Sequence, residues 1–275
     1  MANPRSPVRI PDSRPAGSRP PRSSSSPPAP PARDELLPGR KPRTRPRTCL
    51  RRVINALLYI VKSGCHWHLL PRDFPPPSTV HGFFRAWRTD GTLDAIHSRI
   101  RTQARKATGR RSRPTAAILD SQTVRSDGLA DEAGYDGAKK TKGRKRFLLV
   151  DTIGHALAVS VEPADTPERH GAKALLDKAL VQRTWLKRLY VDGGFSGPDF
   201  AAHMAELKPG LVVEVVKRSD AAVGFEVVPK RWVVERTFGW LMQHRRLVRN
   251  YERRPGSVVA WIYLALMRIM LRRLA

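Results

Sequence analysis

The stretch KRFLLVDTIGHALAVSVE, residues 145–162, decides the fold class. Two short aliphatic runs flank Gly154, and the pattern reads as a β-hairpin with strands at 146–151 and 156–162 and the glycine at the turn. Upstream, the apolar run of AAILDSQTVRS predicts a strand at 116–120, ending at Asp120. Downstream, the periodicity predicts a helix near 168–182, a strand at 187–191, a helix near 198–206 and a strand at 211–216. Two helices close the chain, near 230–247 and 256–273. Three consecutive strands followed by alternating helix and strand imply an α/β fold, with a mixed sheet flanked by helices.

Working outward, residues before the sheet read differently. Leu50, Val53, Ile54, Leu57, Leu58 and Val61 recur at helical spacing, and Gly64 closes that helix. The run Asp73-Phe-Pro-Pro-Pro is a turn, with Ser78 or Thr79 placed to cap the next helix, HGFFRAWRTD. Gly91 breaks that helix and TLDAIHSRIRTQARK makes a third. Three short helices with basic faces over 47–110 suit a small helix-turn-helix-like DNA-binding domain. Residues 1–46 hold more than half of the 24 prolines, together with the Ser23–Ser26 run, and read as a disordered tail.

Charge narrows the partners. Lys and Arg total 51 against 24 Asp and Glu, a formal net charge of +27 over 275 residues. That balance implies a polyanionic partner, and nucleic acid is the usual one. Two cysteines, Cys49 and Cys65, make no disulfide framework and fit a reducing cytoplasm. The N-terminus has no apolar signal segment, and the apolar stretch Val258–Met267 is too short to span a bilayer, so no membrane partner is expected. It reads as a buried helix.

Against this cationic background three acids stand out. Asp120 ends an apolar strand, Asp192 ends the Leu-Tyr-Val strand of RLYVDGGFSG, and Glu235 lies in the helical pattern RWVVERTFGWL. Cutting or transferring a phosphodiester requires an activated nucleophile and a stabilised leaving oxygen. Two divalent cations held by about three carboxylates supply both. Asp192 lies at a strand's C-terminal end, where open sheets place ligands, and Gly193-Gly194 let a substrate approach the backbone. Singly, each acid has a plainer role: Asp120 or Asp192 in a turn, and Glu235 paired with Arg231 four residues earlier. Their order on strand, strand and helix favours a shared metal site.

With GYDGAKKTKGRKRFLLVDTIGHALAV and PKRWVVERTFGWLMQHRRLVRNYE, these motifs resemble the DDE transposases of bacterial insertion sequences, specifically the insertion-sequence-five family. The resemblance runs from about Arg40 to the C-terminus and includes LLYIVKSGCHWHLLPRDFPPPSTVHGFFRAW. It implies an RNase H-like catalytic domain over 114–275, with Asp120, Asp192 and Glu235 as catalytic residues and ligands of two Mg²⁺ or Mn²⁺ ions. The implied activity is cleavage at the ends of a mobile element followed by strand transfer into target DNA. The implied partners are terminal inverted repeats, target DNA and at least a second copy of the chain, in the cytoplasm at the nucleoid. A repressor remnant without catalysis and an RNase H-like nuclease are the alternative functions. The family's Tyr–Arg–Glu–Lys pattern places its Arg on Arg231, but Val228 and Met242 stand at the Tyr and Lys positions, with Arg245 and Arg246 near as substitutes for the lysine. Ahead of Leu36-Leu37-Pro38 the family's acidic and aromatic segment is replaced, and residues 1–35 read as the product of an altered reading frame or start.

Further DNA contacts are expected from the run Lys139, Lys140, Lys142, Arg144, Lys145 and Arg146, read as a phosphate-gripping loop, and from Arg231, Arg245, Arg246 and Arg249 along one helix. Trp232 and Trp240 are expected in the core. Cys65-His66-Trp67-His68 is too tightly spaced to ligate one zinc.

Overall fold

A computed structural model describes residues 48–128, 130–216 and 230–275. The expected tail over 1–46 and Val228 lie outside them.

The helical segment forms as its periodicity requires. Helix α1, Leu50–Ser63, buries Val53, Leu57, Ile60 and Val61 and ends at Gly64, whose φ of 71° is left-handed and whose N–H donates to the Ile60 carbonyl at 2.8 Å. A side chain at Gly64 would also press on Arg245 Cβ, 2.9 Å from an added Cβ. Helix α2, Pro77–Thr89, corrects the expected cap: neither Ser78 nor Thr79 caps it. The helix starts earlier, with Pro77 in its first turn, where the missing N–H removes no helical bond. Helix α3 runs Thr92–Ala107.

Among the described residues six strands follow: β1 Ala116–Arg125, β2 Gly134–Asp136, β3 Thr141–Asp151, β4 Ala156–Pro163, β5 Arg188–Val191 and β6 Val212–Val215. The helices α4 Glu168–Leu180, α5 Pro198–Leu207, α6 Trp232–Met242, α7 Arg245–Val248 and α8 Pro255–Leu274 complete the order. Across the sheet the strands run β4-β3-β1-β5-β6, the first three antiparallel and the last three parallel, with β2 pairing the start of β3. This is the RNase H-like mixed sheet with flanking helices that the resemblance implies.

Strands β1 and β3 are longer than their apolar runs. Their ladder continues from Ala117↔Asp151 to Arg125↔Gly143, so Asp120 lies mid-strand opposite Leu148 and not at a strand end. Backbone pairing extends through polar residues there, and Thr123 adds a 2.6 Å hydrogen bond to Asp136 of β2. Short β2 has no apolar run to announce it. The helix expected over 230–247 is two, because His244 takes an extended backbone (φ −104°, ψ 110°) between α6 and α7.

Alternation along the strands sorts side chains to two cores. Ile118, Leu148 and Val150 join α1, α2, α3, α6 and α8 on one face, around fully buried Trp261, whose ring stacks on Phe84 at 4.4 Å. Ala117, Leu119, Phe147 and Leu149 meet α4 and α5 on the other. Helix α8 is buried over most of its length, as expected of a core helix. The helical segment and the sheet share the first core, and the described residues fall in one compact unit.

Candidate functional site

The sheet and one helix bring the three acids to a single cation. Asp120 projects from the middle of β1, Asp192 follows the end of β5, and Glu235 stands in the first turn of α6. Arg231, just ahead of α6, places its Nη2 2.7 Å from Asp192 Oδ2, 3.5 Å from Glu235 Oε1 and 4.0 Å from Asp120 Oδ2. The i, i+4 pairing of Arg231 with Glu235 is present, and the same nitrogen also lies within 4.0 Å of both aspartates. Arg231 is largely enclosed, with 17% of its side chain exposed.

Each acid is held differently. Asp120 Oδ1 accepts the Ser121 N–H at 2.7 Å. Burial pushes the Asp120 carboxyl up to about 6; the Ser121 N–H and Arg231 oppose this, and the negative charges of Asp192 and Glu168 add to it. Asp192 Oδ1 accepts the Gly194 N–H at 3.1 Å, capping a short 3₁₀ turn over Gly193–Phe195. Glu235 is half exposed on its helix.

Two neighbours escaped the sequence reading. Glu168, at the start of α4, accepts the Ser121 hydroxyl at 2.9 Å, and its other oxygen lies where a Cβ on Gly194 would sit. Gly194 thus makes room for a fourth carboxylate beside Asp120 and Asp192. The available signal was an acid directly after Pro167 at a helix start. Lys230 has φ 68°, a conformation costly for a residue with a side chain, and its Nζ binds the Tyr190 hydroxyl at 2.8 Å. That contact ties the segment carrying Arg231 to β5.

The expected DNA contacts divide. Lys139, Lys140 and Lys142 are exposed around the turn into β3. Arg144, Lys145 and Arg146 are not, which corrects the reading of this run as one phosphate-gripping loop. They are buried in β3 and donate to main-chain carbonyls: Arg144 to Asp131, Glu252 and Arg253, Lys145 to Thr166 at 2.8 Å, and Arg146 to Leu247 at 2.9 Å. Carbonyls of packed loops need donors, and long cationic side chains supply them. Burial lowers the Arg146 guanidinium to about 10.

Arg245 and Arg249 are exposed, whereas Arg246 binds Glu252 at 2.6 Å and the Cys65 carbonyl at 3.3 Å. The break at His244 means that these arginines do not continue one face of the Glu235 helix. The tryptophans also differ from expectation. Trp232 is 40% exposed and Trp240 half-buried, with the Arg236 guanidinium 4.4 and 4.5 Å from their rings. Trp67, within the Cys-His-Trp-His run, is the aromatic that reaches the core, against Phe84 and Trp261.

As the side chains lie, no three His, Cys, Asp or Glu residues among the described residues close on a common ion position. The donor set nevertheless suits a hard divalent cation. Three carboxylates already reach one positive nitrogen, and Asp120 is buried without full compensation of its charge.

The sheet order and its flanking helices define an RNase H-like fold. Residues 111–271 match the family described as Transposase DDE domain, more than half of the chain, and the protein belongs to that family. Residues 33–97 match a second family, described as Putative transposase of IS4/5 family. No curated protein matches the chain. Among the described residues no helix is long and apolar enough to cross a membrane.

Proposed function

We propose that this transposase binds the ends of an insertion sequence and performs metal-dependent DNA cleavage and strand transfer, with Asp120, Asp192 and Glu235 as its catalytic carboxylates. The observation that carries the proposal is the approach of all three to Arg231 Nη2, from three separate elements. The same three side chains would hold Mg²⁺ or Mn²⁺. When bound, two such ions would supply an activated attacking oxygen and charge neutralisation at the leaving oxygen.

The chain's own residues prepare that chemistry. Asp120 is carried by a strand paired on both sides, which limits its motion. Gly193 leaves the backbone beside Asp192 without side-chain bulk for a sugar-phosphate to approach, while the Cβ space of Gly194 is taken by the Glu168 carboxylate. Bound divalent cations would compete with Arg231 for these carboxylates, and its guanidinium would then be free to bind a DNA phosphate. Lys139, Lys140, Lys142, Arg245 and Arg249 supply exposed cations for the DNA backbone. Joining two element ends requires two active sites, so a dimer or higher assembly forms on DNA.

The test is Mg²⁺-dependent cleavage of labelled DNA carrying the flanking element ends, with wild type beside Glu235→Gln. Wild type should cut and the variant should bind without cutting. Binding without cleavage by both proteins would overturn the catalytic reading and leave a DNA-binding repressor.

A further inference from the structure

At the start of β1, the linker from α3 bounds an open cavity of about 380 Å³. Four arginines line it, Arg105, Arg110, Arg111 and Arg113, together with Thr152. Arg105 is spent on structure: its Nη1 pairs with fully buried Asp151 at 2.5 Å and its Nε donates to the Arg111 carbonyl at 2.8 Å. These bonds pin the linker backbone. The side chains of Arg110, Arg111 and Arg113 stay exposed, and none of the three makes an ion pair among the described residues.

Nothing in the lining neutralises them. Asp151, the acid that Arg105 pairs with, is already engaged by Arg105 and by the N–H groups of Ile153 at 3.0 Å and His155 at 2.9 Å. Arg110 reaches only the Thr152 hydroxyl, at 3.4 Å, and Arg113 lies 5.1 Å from the Trp185 ring. The backbone N–H of Lys187 bonds the carbonyl of Thr115, itself a lining residue, at 2.8 Å. Three uncompensated guanidinium groups in four residues repel one another unless an anion sits among them. A rigid backbone beneath them makes the position usable as a site.

We infer that this linker cavity is a binding site for the DNA phosphate backbone, separate from the catalytic carboxylates. Arg110, Arg111 and Arg113 are the residues that contact phosphate. Ala116 borders the cavity and Asp120 is four residues further along β1, about 13 Å at strand rise. DNA held at both places is therefore gripped away from the bond being cut. The inference rests on the transposase reading for the identity of the polyanion. Both the duplex of the element end and the target duplex present the same phosphate chemistry.

The experiment measures binding by the full chain in EDTA, with labelled duplexes of an element end and of unrelated sequence, across a KCl series. Wild type is compared with R110S/R111S/R113S and with R110K/R111K/R113K. The slope of log affinity against log salt should fall by about 2–3 in the serine variant, at about 0.9 per lost phosphate contact. The lysine variant should keep the wild-type slope, and the exposed positions should leave the melting temperature unchanged. Loss confined to the element end assigns the site to the terminal repeat. Equal loss on both duplexes assigns it to target or flanking DNA. A serine variant that binds both duplexes with wild-type affinity and slope overturns the inference alone. Wild-type protein without salt-dependent binding overturns the transposase reading with it.

Discussion

Asp120→Asn should make the metal-free protein more stable, and by an amount that depends on pH. Burial raises the Asp120 carboxyl from 3.8 to about 6. At about 1.36 kcal/mol per pH unit, keeping it ionised in the folded protein costs about 3 kcal/mol above pH 6. The unfolded chain loses this proton near pH 3.8 while the folded chain keeps it, so stability falls as pH rises from about 4 to 6 and is then flat. His155 works in the opposite direction. Burial lowers its imidazole from 6.5 to about 4, so the unfolded chain protonates first and stability falls as pH drops from 6.5 to about 4. In wild type the two slopes nearly cancel across their common window. Urea unfolding in EDTA between pH 4 and 8 separates them. At pH 7.5 the asparagine variant should gain about 2–3 kcal/mol over wild type. That advantage should shrink toward zero by pH 4, exposing the histidine's slope. A gain independent of pH, or no gain at pH 7.5, would refute burial of the charge as the cause.

Two further outcomes follow from the same geometry. Arg231→Gln removes the cation nearest to all three carboxylates, so Mg²⁺ should bind about tenfold more tightly by calorimetry, equivalent to about 1.4 kcal/mol. Unchanged or weaker Mg²⁺ binding would show that Arg231 does not compete with the ion. Asp151→Asn strips the buried partner from Arg105 and should cost about 3–5 kcal/mol in urea unfolding, since it leaves a guanidinium 5% exposed without its counter-charge.

Much of the fold is readable along the chain because its signals are local. The aliphatic runs around Gly154, the helical spacing of Leu50 to Val61 and the strand before Asp192 each depend on residues within one element. The misreadings fall where tertiary contacts override local pattern. Arg144, Lys145 and Arg146 look solvated by composition, but β3 continues through them and main-chain carbonyls distant in the chain accept hydrogen bonds from them. Trp232 and Trp240 look like core residues, yet Arg236 offers their faces a cation at the surface. Ser78 and Thr79 have capping chemistry, but Pro77 is the residue that starts the helix.

The candidate site divides in the same way. Residue type and the order of elements along the chain singled out Asp120, Asp192 and Glu235, because an acid after an apolar strand in so basic a protein is conspicuous. Sequence also determined the cationic character and the RNase H-like family. Only the tertiary structure decided that Arg231 stands among the three acids, that Glu168 joins them through Ser121, and that three linker arginines are left without carboxylates. Those contacts join side chains 39 to 111 residues apart in the chain, and no local periodicity records such distances.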